Sequence, residues 1–151
     1  MEFVVVTPAG ATVQATPPER LPDEGFVWCD CVPDEGRSWV EPMRALTGVA
    51  IFEDHLLDAE NPNHPSYFDS TRHYEMIVFR GLATAPPEDN GSMETIRIRT
   101  RPTVFYLMPG ALVVVHPADS RQVPLIRERL RSAADSHQRL PSCPVELMLR
   151  I

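Results

Sequence analysis

The sequence predicts an α/β protein in which a mixed parallel and antiparallel sheet is sandwiched between helices. Short apolar segments of strand type dominate the middle of the chain, and segments with helical spacing of apolar residues flank them. No internal repeat divides the chain, and its 151 residues suit one domain with a sizeable core. We therefore expect a single domain over residues 1–151, with roughly five to seven strands and helices on both faces of the sheet.

The first part of the chain contains three predicted strands. Residues 3–6 and 12–15 flank a turn that contains proline and glycine, which is typical of a hairpin. Residues 26–31 follow as a third strand after a polar, proline-rich loop. Alternation along that strand assigns its side chains to two faces, with Val27, Cys29 and Cys31 on one and Trp28 and Asp30 on the other.

Two helices are predicted next. In residues 36–47 apolar side chains recur three and four positions apart, and Gly48 ends the helix in the usual C-terminal manner. Pro42 argues for a short or broken helix, because proline in a helix interior costs ~3 kcal/mol. Residues 50–59 form an acidic helix, which two following prolines stop. Its apolar stripe consists of Ile51, Leu56 and Leu57.

The second half of the chain alternates strands with turns and ends in helices. A proline at the first helical position favours a helix over residues 124–137. Residues 145–151 begin another apolar helix, which we expect to pack on the domain and to continue beyond Ile151. Strands are predicted at 67–68, 74–82, 93–99, 104–108 and 112–116, with a turn-rich linker at 85–92 and a hairpin turn at Pro109-Gly110.

The same periodicities predict which side chains form the core. Alternation along strands and three-to-four spacing along helices select ten residues as largely buried. They are Trp28, Ile77, Phe79, Val104, Phe105, Leu107, Val113, Val115, Ile126 and Leu130.

Composition and charge exclude some classes of partner and compartment. The net charge of −7 argues against nucleic acid, because phosphate binding needs a basic surface. The chain shows neither a secretory signal nor an apolar run of the ~18 residues that a membrane span needs. Its three cysteines cannot all pair within one molecule. These observations predict a soluble chain in a reducing cytosol.

The acidic helix carries the leading candidate for a metal site. Its carboxylates are Glu53, Asp54 and Asp58, with His55 between them. Hard divalent cations prefer carboxylate oxygens, and residues 54 and 58 lie one helical turn apart, so both can face one ion. The alternative is an acidic helix face that is only solvated.

Other polar groups favour structural interpretations. Cys29, Cys31 and Cys143 supply three thiols, whereas a structural zinc site needs four ligands, so buried cysteines of apolar character are preferred. No nucleophile elbow, phosphate loop or dinucleotide fingerprint occurs in the sequence. Histidines 64, 73, 116 and 137 show no acid–base partner nearby in the sequence, and arginines 121, 127, 129, 131 and 139 suggest a solvated face or a contact with another subunit.

Three stretches together resemble a known family. Glu53-Asp54 opens a leucine-bearing helix that is followed by proline, an aromatic pair and an apolar strand. Phe26-Val27-Trp28-Cys29-Asp30 is similar to a Trp-x-Asp strand, and residues 124–131 (PLIRERLR) are similar to an Arg-Glu-Arg helix. In this order and spacing they resemble the cytoplasmic domain of the CorA family of magnesium and cobalt channels, with the ZntB zinc transporters as close relatives. The likeness covers roughly residues 26–151, and the family's Gly-Met-Asn pore motif is absent from the sequence.

The resemblance implies a cytosolic metal-sensing and gating domain that is not an enzyme and that ends before the stalk and membrane helices. In that family identical subunits form a pentamer, and ions bound between the cytosolic domains hold the pore closed. An acidic residue at the position of Asp54 helps bind the regulatory ion. The resemblance therefore implies a weak Mg²⁺ site, with Co²⁺ or Zn²⁺ as alternatives, at Asp54 with Glu53 or Asp58. The partner carboxylate lies on a stalk helix outside this sequence.

Two other functions stay open at this point. A small cytosolic enzyme would need a pocket in which an acid and a base converge, and the sequence locates none. A stand-alone interaction domain would be favoured if the reading frame ended at Ile151.

Overall fold

The computed structural model describes residues 1–83, 99–133 and 139–151. The described residues form seven strands and four α-helices. In chain order these elements are β1 (Glu2–Thr7), β2 (Gly10–Gln14), β3 (Phe26–Cys31), α1 (Val40–Thr47), α2 (Glu53–Glu60), β4 (Tyr67–Ser70), β5 (Glu75–Leu82), β6 (Thr100–Met108), β7 (Ala111–Val115), α3 (Gln122–Arg131) and α4 (Pro144–Met148).

The strands of the described chain join into one mixed sheet in the order β2-β1-β3-β7-β6-β5-β4. Strands β3 and β7 pair in parallel, from Val27 opposite Ala111 to Cys31 opposite Val115. The other neighbouring pairs are antiparallel. The predicted fold class, with a mixed sheet and helices, is confirmed.

Each face of the sheet carries its own apolar core. Helices α1 and α2 cover one face, where Met43 and Leu56 pack with Cys29 and Tyr106. Helices α3 and α4 cover the other face, and on it Trp28 is fully buried. The predicted division of β3 is confirmed, since Val27, Cys29 and Cys31 belong to the first core and Trp28 to the second.

Most predicted strands are present, with shifted ends. The hairpin of β1 and β2 and the hairpin of β6 and β7 both form. Strand β6 begins at Thr100, earlier than predicted. The strand expected at 93–99, with its linker at 85–92, and the end of the helix expected at 124–137 fall on residues outside the described ranges.

Helix α1 is shorter than the sequence pattern suggested. It begins at Val40, and residues 36–39 form turns through bonds such as Val40 N–H to Arg37 C=O, 3.0 Å. Pro42 therefore stands in the first helical turn, where backbone N–H groups have no partner within the helix. The helix accommodates this proline without a break, and Gly48 ends it in a left-handed conformation (φ +74°).

Two predicted apolar positions are wrong. Leu57 is 52% exposed, because α2 begins at Glu53 and turns His55 and Leu56 toward the sheet instead. Phe79 is 59% exposed on β5, which lies next to the edge strand β4 of the sheet. Ile77 is half-buried, and the other eight predicted core residues are buried.

The C-terminal segment packs on the second core chiefly through Leu147, with the partly buried Met148 and Ile151 beside it. Leu147 of α4 is fully buried, as a packed helix requires, whereas Val145 is 47% and Leu149 76% exposed. The helix ends at Met148, earlier than predicted. None of the helices that the structure describes is both long and apolar enough to cross a bilayer. Continuation beyond Ile151 stays a prediction.

Gly25 offers a test of how tightly the sheet is packed. A Cβ atom at this position would lie 1.9 Å from the carbonyl oxygen of Val6, and its φ of +110° suits glycine alone. We expect Gly25→Ala to lower the free energy of unfolding by about 2–4 kcal/mol, measured by urea denaturation.

Gly48→Ala is the matched control for this change. Gly48 also has a positive φ, but a Cβ there meets no atom within 4 Å. Gly48→Ala should lower the free energy of unfolding by only about 1–2 kcal/mol. Equal losses for the two variants would show that the contact with Val6 is not a packing constraint.

Candidate metal-binding helix

Helix α2 presents the predicted carboxylates on the surface of the domain. Glu53 and Asp54 stand in its first turn, where the partial positive charge of a helix N-terminus stabilises acidic groups. Both are exposed, while His55 and Leu56 face inward. The sequence therefore places one face of α2 in the core and leaves its acidic face in solvent.

Glu53 is engaged by an arginine from the turns that precede α1. Arg37 donates from Nη1 to Glu53 Oε1 at 2.6 Å, and from Nε and Nη2 to Glu60 at 2.6 and 3.1 Å. The hydrogen bonds from Arg37 lower the pKa of Glu60, and the two carboxylates raise the pKa of Arg37. One guanidinium thus bridges both ends of α2.

Asp58 and Asp54 have different surroundings. Asp58 Oδ1 lies 3.4 Å from Nε2 of His64, whose Nδ1–H donates to the carbonyl oxygen of Pro65 at 2.9 Å. Asp54 is exposed and has no hydrogen bond or ion pair within residues 1–83, 99–133 and 139–151. Of the three predicted ligands, Asp54 is the one whose carboxylate is free.

The described residues do not assemble a complete metal site. No group of three or more His, Cys, Asp or Glu side chains in those ranges is placed to hold one ion. The assignment of Asp54, Glu53 and Asp58 as metal ligands stays a prediction, and the geometry limits what one chain contributes. Asp54 offers one free carboxylate, and Glu53 would have to leave Arg37 before it could bind metal.

A buried hydrogen-bond chain, which sequence reasoning missed, fixes α2 to the sheet. Asp69 Oδ2 accepts from His55 Nε2–H at 2.9 Å, which leaves Nδ1 to accept from the Tyr74 hydroxyl at 2.7 Å. The Tyr74 oxygen in turn accepts the Phe52 N–H at 3.0 Å. The Tyr106 hydroxyl donates to the backbone carbonyl of His55 at 2.8 Å. Strands β4 and β6 and the turn before β5 therefore hold the first turn of α2.

This hydroxyl–imidazole–carboxylate chain is structural and not an exposed nucleophile. Tyr74 is 3% and His55 6% exposed, so the hydroxyl is closed to substrate. Burial raises the pKa of Tyr74 and, more strongly, that of Tyr106, which keeps both phenols neutral. The sequence did indicate that His55 faces inward. Residues 55, 56 and 59 share one helical face, so His55 lies beside the apolar residues Leu56 and Ala59.

A second buried polar cluster brings His116 and Arg127 beside Asp30. Arg127 Nη1 donates to Asp30 Oδ2 at 2.5 Å and also pairs with Glu2. Asp30 Oδ1 lies 2.9 Å from His116 Nε2, although the two are not aligned for a hydrogen bond. His116 is thus a buried histidine with an acidic neighbour that is distant in sequence, and Arg127 is more than a solvated charge. An inward-facing carboxylate on a central strand was the available signal.

Cys29 and Cys31 follow the structural interpretation, whereas for Cys143 the expectation of burial is wrong. Cys29 and Cys31 are buried on the face that α1 and α2 cover, and Cys143 is exposed. A hydrogen bond with Cys29, together with burial, raises the pKa of the Cys31 thiol well above its usual value. Because metals bind the thiolate, this environment opposes metal binding at Cys31.

Solved structures with a similar architecture include a ZntB cytoplasmic domain, a CorA magnesium transporter and the CmaX protein. The cytoplasmic domain of ZntB from Vibrio parahaemolyticus RIMD 2210633 matches 99% of this chain and 55% of its own, at 19% identity and a TM-score of 0.65. The CorA magnesium transporter of Methanocaldococcus jannaschii matches 99% of this chain and 43% of its own, at 9% identity and a TM-score of 0.67. Full-length CmaX matches 99% and 42%, at 13% identity and a TM-score of 0.68.

These similarities establish the fold. The chain has the architecture of a CorA/ZntB soluble domain, which confirms the predicted resemblance at that level. It spans about half the length of the structures that it matches. No protein-family model matches the chain, and no curated protein is significantly similar to it.

The Tyr74 hydroxyl can be tested as the anchor of α2. Tyr74→Phe leaves the Phe52 N–H and His55 Nδ1 without their shared partner, so we expect a loss of about 1–3 kcal/mol in the free energy of unfolding. Amide hydrogen exchange in α2 should accelerate in the same variant.

Tyr67→Phe is the control for removal of a hydroxyl. Tyr67 is 40% exposed, and in the described chain its hydroxyl has no hydrogen bond. Tyr67→Phe should hardly change the free energy of unfolding. If Tyr74→Phe is equally neutral and leaves exchange in α2 unchanged, the hydrogen-bond chain does not anchor this helix.

Proposed function

We propose that this chain is the cytosolic metal-sensing and gating domain of a CorA-like divalent-metal transporter. The observation that supports this most is the structural match to the ZntB cytoplasmic domain and the CorA magnesium transporter, which covers 99% of the chain in each case. The pore would lie in membrane helices outside this sequence, and five identical subunits would form the complete protein.

The acidic face of α2 is the proposed sensor. Magnesium takes six oxygen ligands, keeps several of them as water, and commonly uses one or two carboxylates. Asp54 supplies one free carboxylate at the start of a helix whose first turn is fixed to the sheet. A neighbouring subunit would supply the second ligand. The regulatory ion is Mg²⁺ in this proposal, with Co²⁺ and Zn²⁺ as alternatives.

Linkage explains how such an ion would gate a pore. An ion that bridges carboxylates of two subunits favours the assembly that brings those carboxylates together. When cytosolic metal falls, the like charges repel each other and the closed assembly loses its advantage. With one free carboxylate per chain, the isolated domain should bind Mg²⁺ only in the range of ~10⁻³ M, as the weakest calcium modules do, or not at all.

Asp54→Asn is the variant that tests the sensor. It keeps the shape of the side chain and removes its charge, so the melting temperature of the isolated domain without metal should hardly change. In the complete transporter we expect the internal Mg²⁺ concentration for half-closure to rise by about fivefold or more, the lower end of measured coupling. The measurement is flux at varied internal Mg²⁺.

Glu41→Gln is the matched control, because Glu41 is a 78% exposed acid on the adjacent helix α1. The Glu41→Gln transporter should close at the same internal Mg²⁺ concentration as the wild type. Glu53→Gln should shift closure less than Asp54→Asn, since Glu53 is already engaged by Arg37. If Asp54→Asn and Glu53→Gln both close at the wild-type concentration, the acidic face of α2 is merely solvated.

A further inference from the structure

A cavity of about 330 Å³ lies between α3 and the C-terminal segment, away from α2. Its floor is apolar, because the α3 side of the cavity is built from side chains of the second core. Its rim is cationic, because guanidinium groups from both segments meet there. The described residues that line it are Ile126, Leu130 and Ala133 on the floor and Arg129, Arg139 and Arg150 on the rim.

One carboxylate holds two of the three rim arginines in place. Glu146 Oε1 accepts from Arg139 at 3.0 Å and from Arg150 at 2.6 Å. Arg150 also donates to the carbonyl oxygen of Arg139 at 2.9 Å. The rim arginines that come from the C-terminal segment are therefore oriented by several bonds.

The acidic partner of the rim is itself fully used. Glu146 Oε2 accepts from the backbone N–H and the hydroxyl of Ser142, at 2.8 and 3.0 Å. The bond from the Ser142 backbone, followed by that from Arg150, lowers the pKa of Glu146 to about 2. Arg129 has no hydrogen bond or ion pair within the described ranges. Among the described residues, three positive charges thus face one negative charge, which makes this part of the rim cationic at neutral pH.

The positive charge of the cavity rim contrasts with the net negative charge of the protein. The protein as a whole has a net charge of −7, yet three arginines converge on one apolar hollow. An apolar floor favours a hydrocarbon group, and a guanidinium rim favours a carboxylate or phosphate, to which arginine donates paired hydrogen bonds.

We propose that this cavity binds a single-chain amphipathic anion, with its carboxylate or phosphate head at Arg129 and Arg150 and its alkyl chain against Ile126 and Leu130. The occupant is a free molecule and not a membrane surface, because the cavity is at the small end of ligand pockets, which span about 300–1,000 Å³. This site is independent of the proposed metal sensor.

The test is a titration of the whole 151-residue chain with decyl phosphate below its critical micelle concentration. Binding is measured by calorimetry and by the amide chemical shifts of α3 and α4. Decyl phosphate should bind, with shifts centred on Ile126, Leu130 and Arg150. Inorganic phosphate lacks the alkyl chain and decanol lacks the charge, so each should bind at least tenfold more weakly. Rising ionic strength should weaken binding of decyl phosphate.

Arg129→Gln and Arg121→Gln form the matched pair of variants. Both arginines are exposed, and neither has a partner among the described residues, but only Arg129 lines the cavity. Arg129→Gln should weaken binding of decyl phosphate about tenfold, which corresponds to about 1.4 kcal/mol. Arg121→Gln should leave the affinity unchanged.

Four results would each overturn the inference. They are equal affinity for inorganic phosphate, equal affinity for decanol, an unchanged affinity in Arg129→Gln, and binding to vesicles of anionic phospholipid without binding to decyl phosphate. The last result would assign these arginines to a membrane surface.

Discussion

The parallel pairing of β3 with β7 is the constraint on which the rest of the sheet depends. It joins the antiparallel group β2-β1-β3 to the antiparallel group β7-β6-β5-β4. Helices cover both faces of this pair, so each residue of the two strands is buried, and Asp30 is their one charged group. An unpaired buried carboxylate would be costly. The ion pair of Asp30 with Arg127 stabilises the carboxylate and ties α3 to the centre of the sheet.

Contacts with the sheet region also determine which side chains of α2 face solvent. The bonds of His55 to Tyr74 and Asp69 turn the imidazole inward and leave the carboxylates outside. Arg37 then engages Glu53, Asp58 lies beside His64, and Asp54 keeps a free carboxylate. In the proposed function this arrangement makes Asp54 a half-site, which the described chain presents rigidly and which a second subunit would complete.

Local sequence patterns predicted the elements but not the contacts between them. Alternation assigned the residues of β3 to the correct faces, because the period of a strand is a local property. Alternation could not show that Phe79 is exposed, since a pattern assigns a residue to a face of the sheet but does not show whether a helix packs there. The buried polar clusters join residues far apart in sequence, as in Arg127 with Asp30 (97 positions) and Tyr106 with His55 (51 positions). The acidic residues of α2 were visible in the sequence, whereas the engagement of Glu53 and Glu60 by Arg37 was not.

The most direct test of the central claim is the structure of the complete protein in saturating Mg²⁺, determined by electron cryo-microscopy. The metal-sensor proposal predicts a symmetric assembly of identical subunits with a Mg²⁺ ion at a subunit interface beside Asp54. Its oxygen ligands would lie at about 2.0–2.1 Å and include Asp54 directly or through water, together with a group from the neighbouring subunit. An assembly in which α2 faces bulk solvent, with no ion between subunits at Asp54, would contradict it.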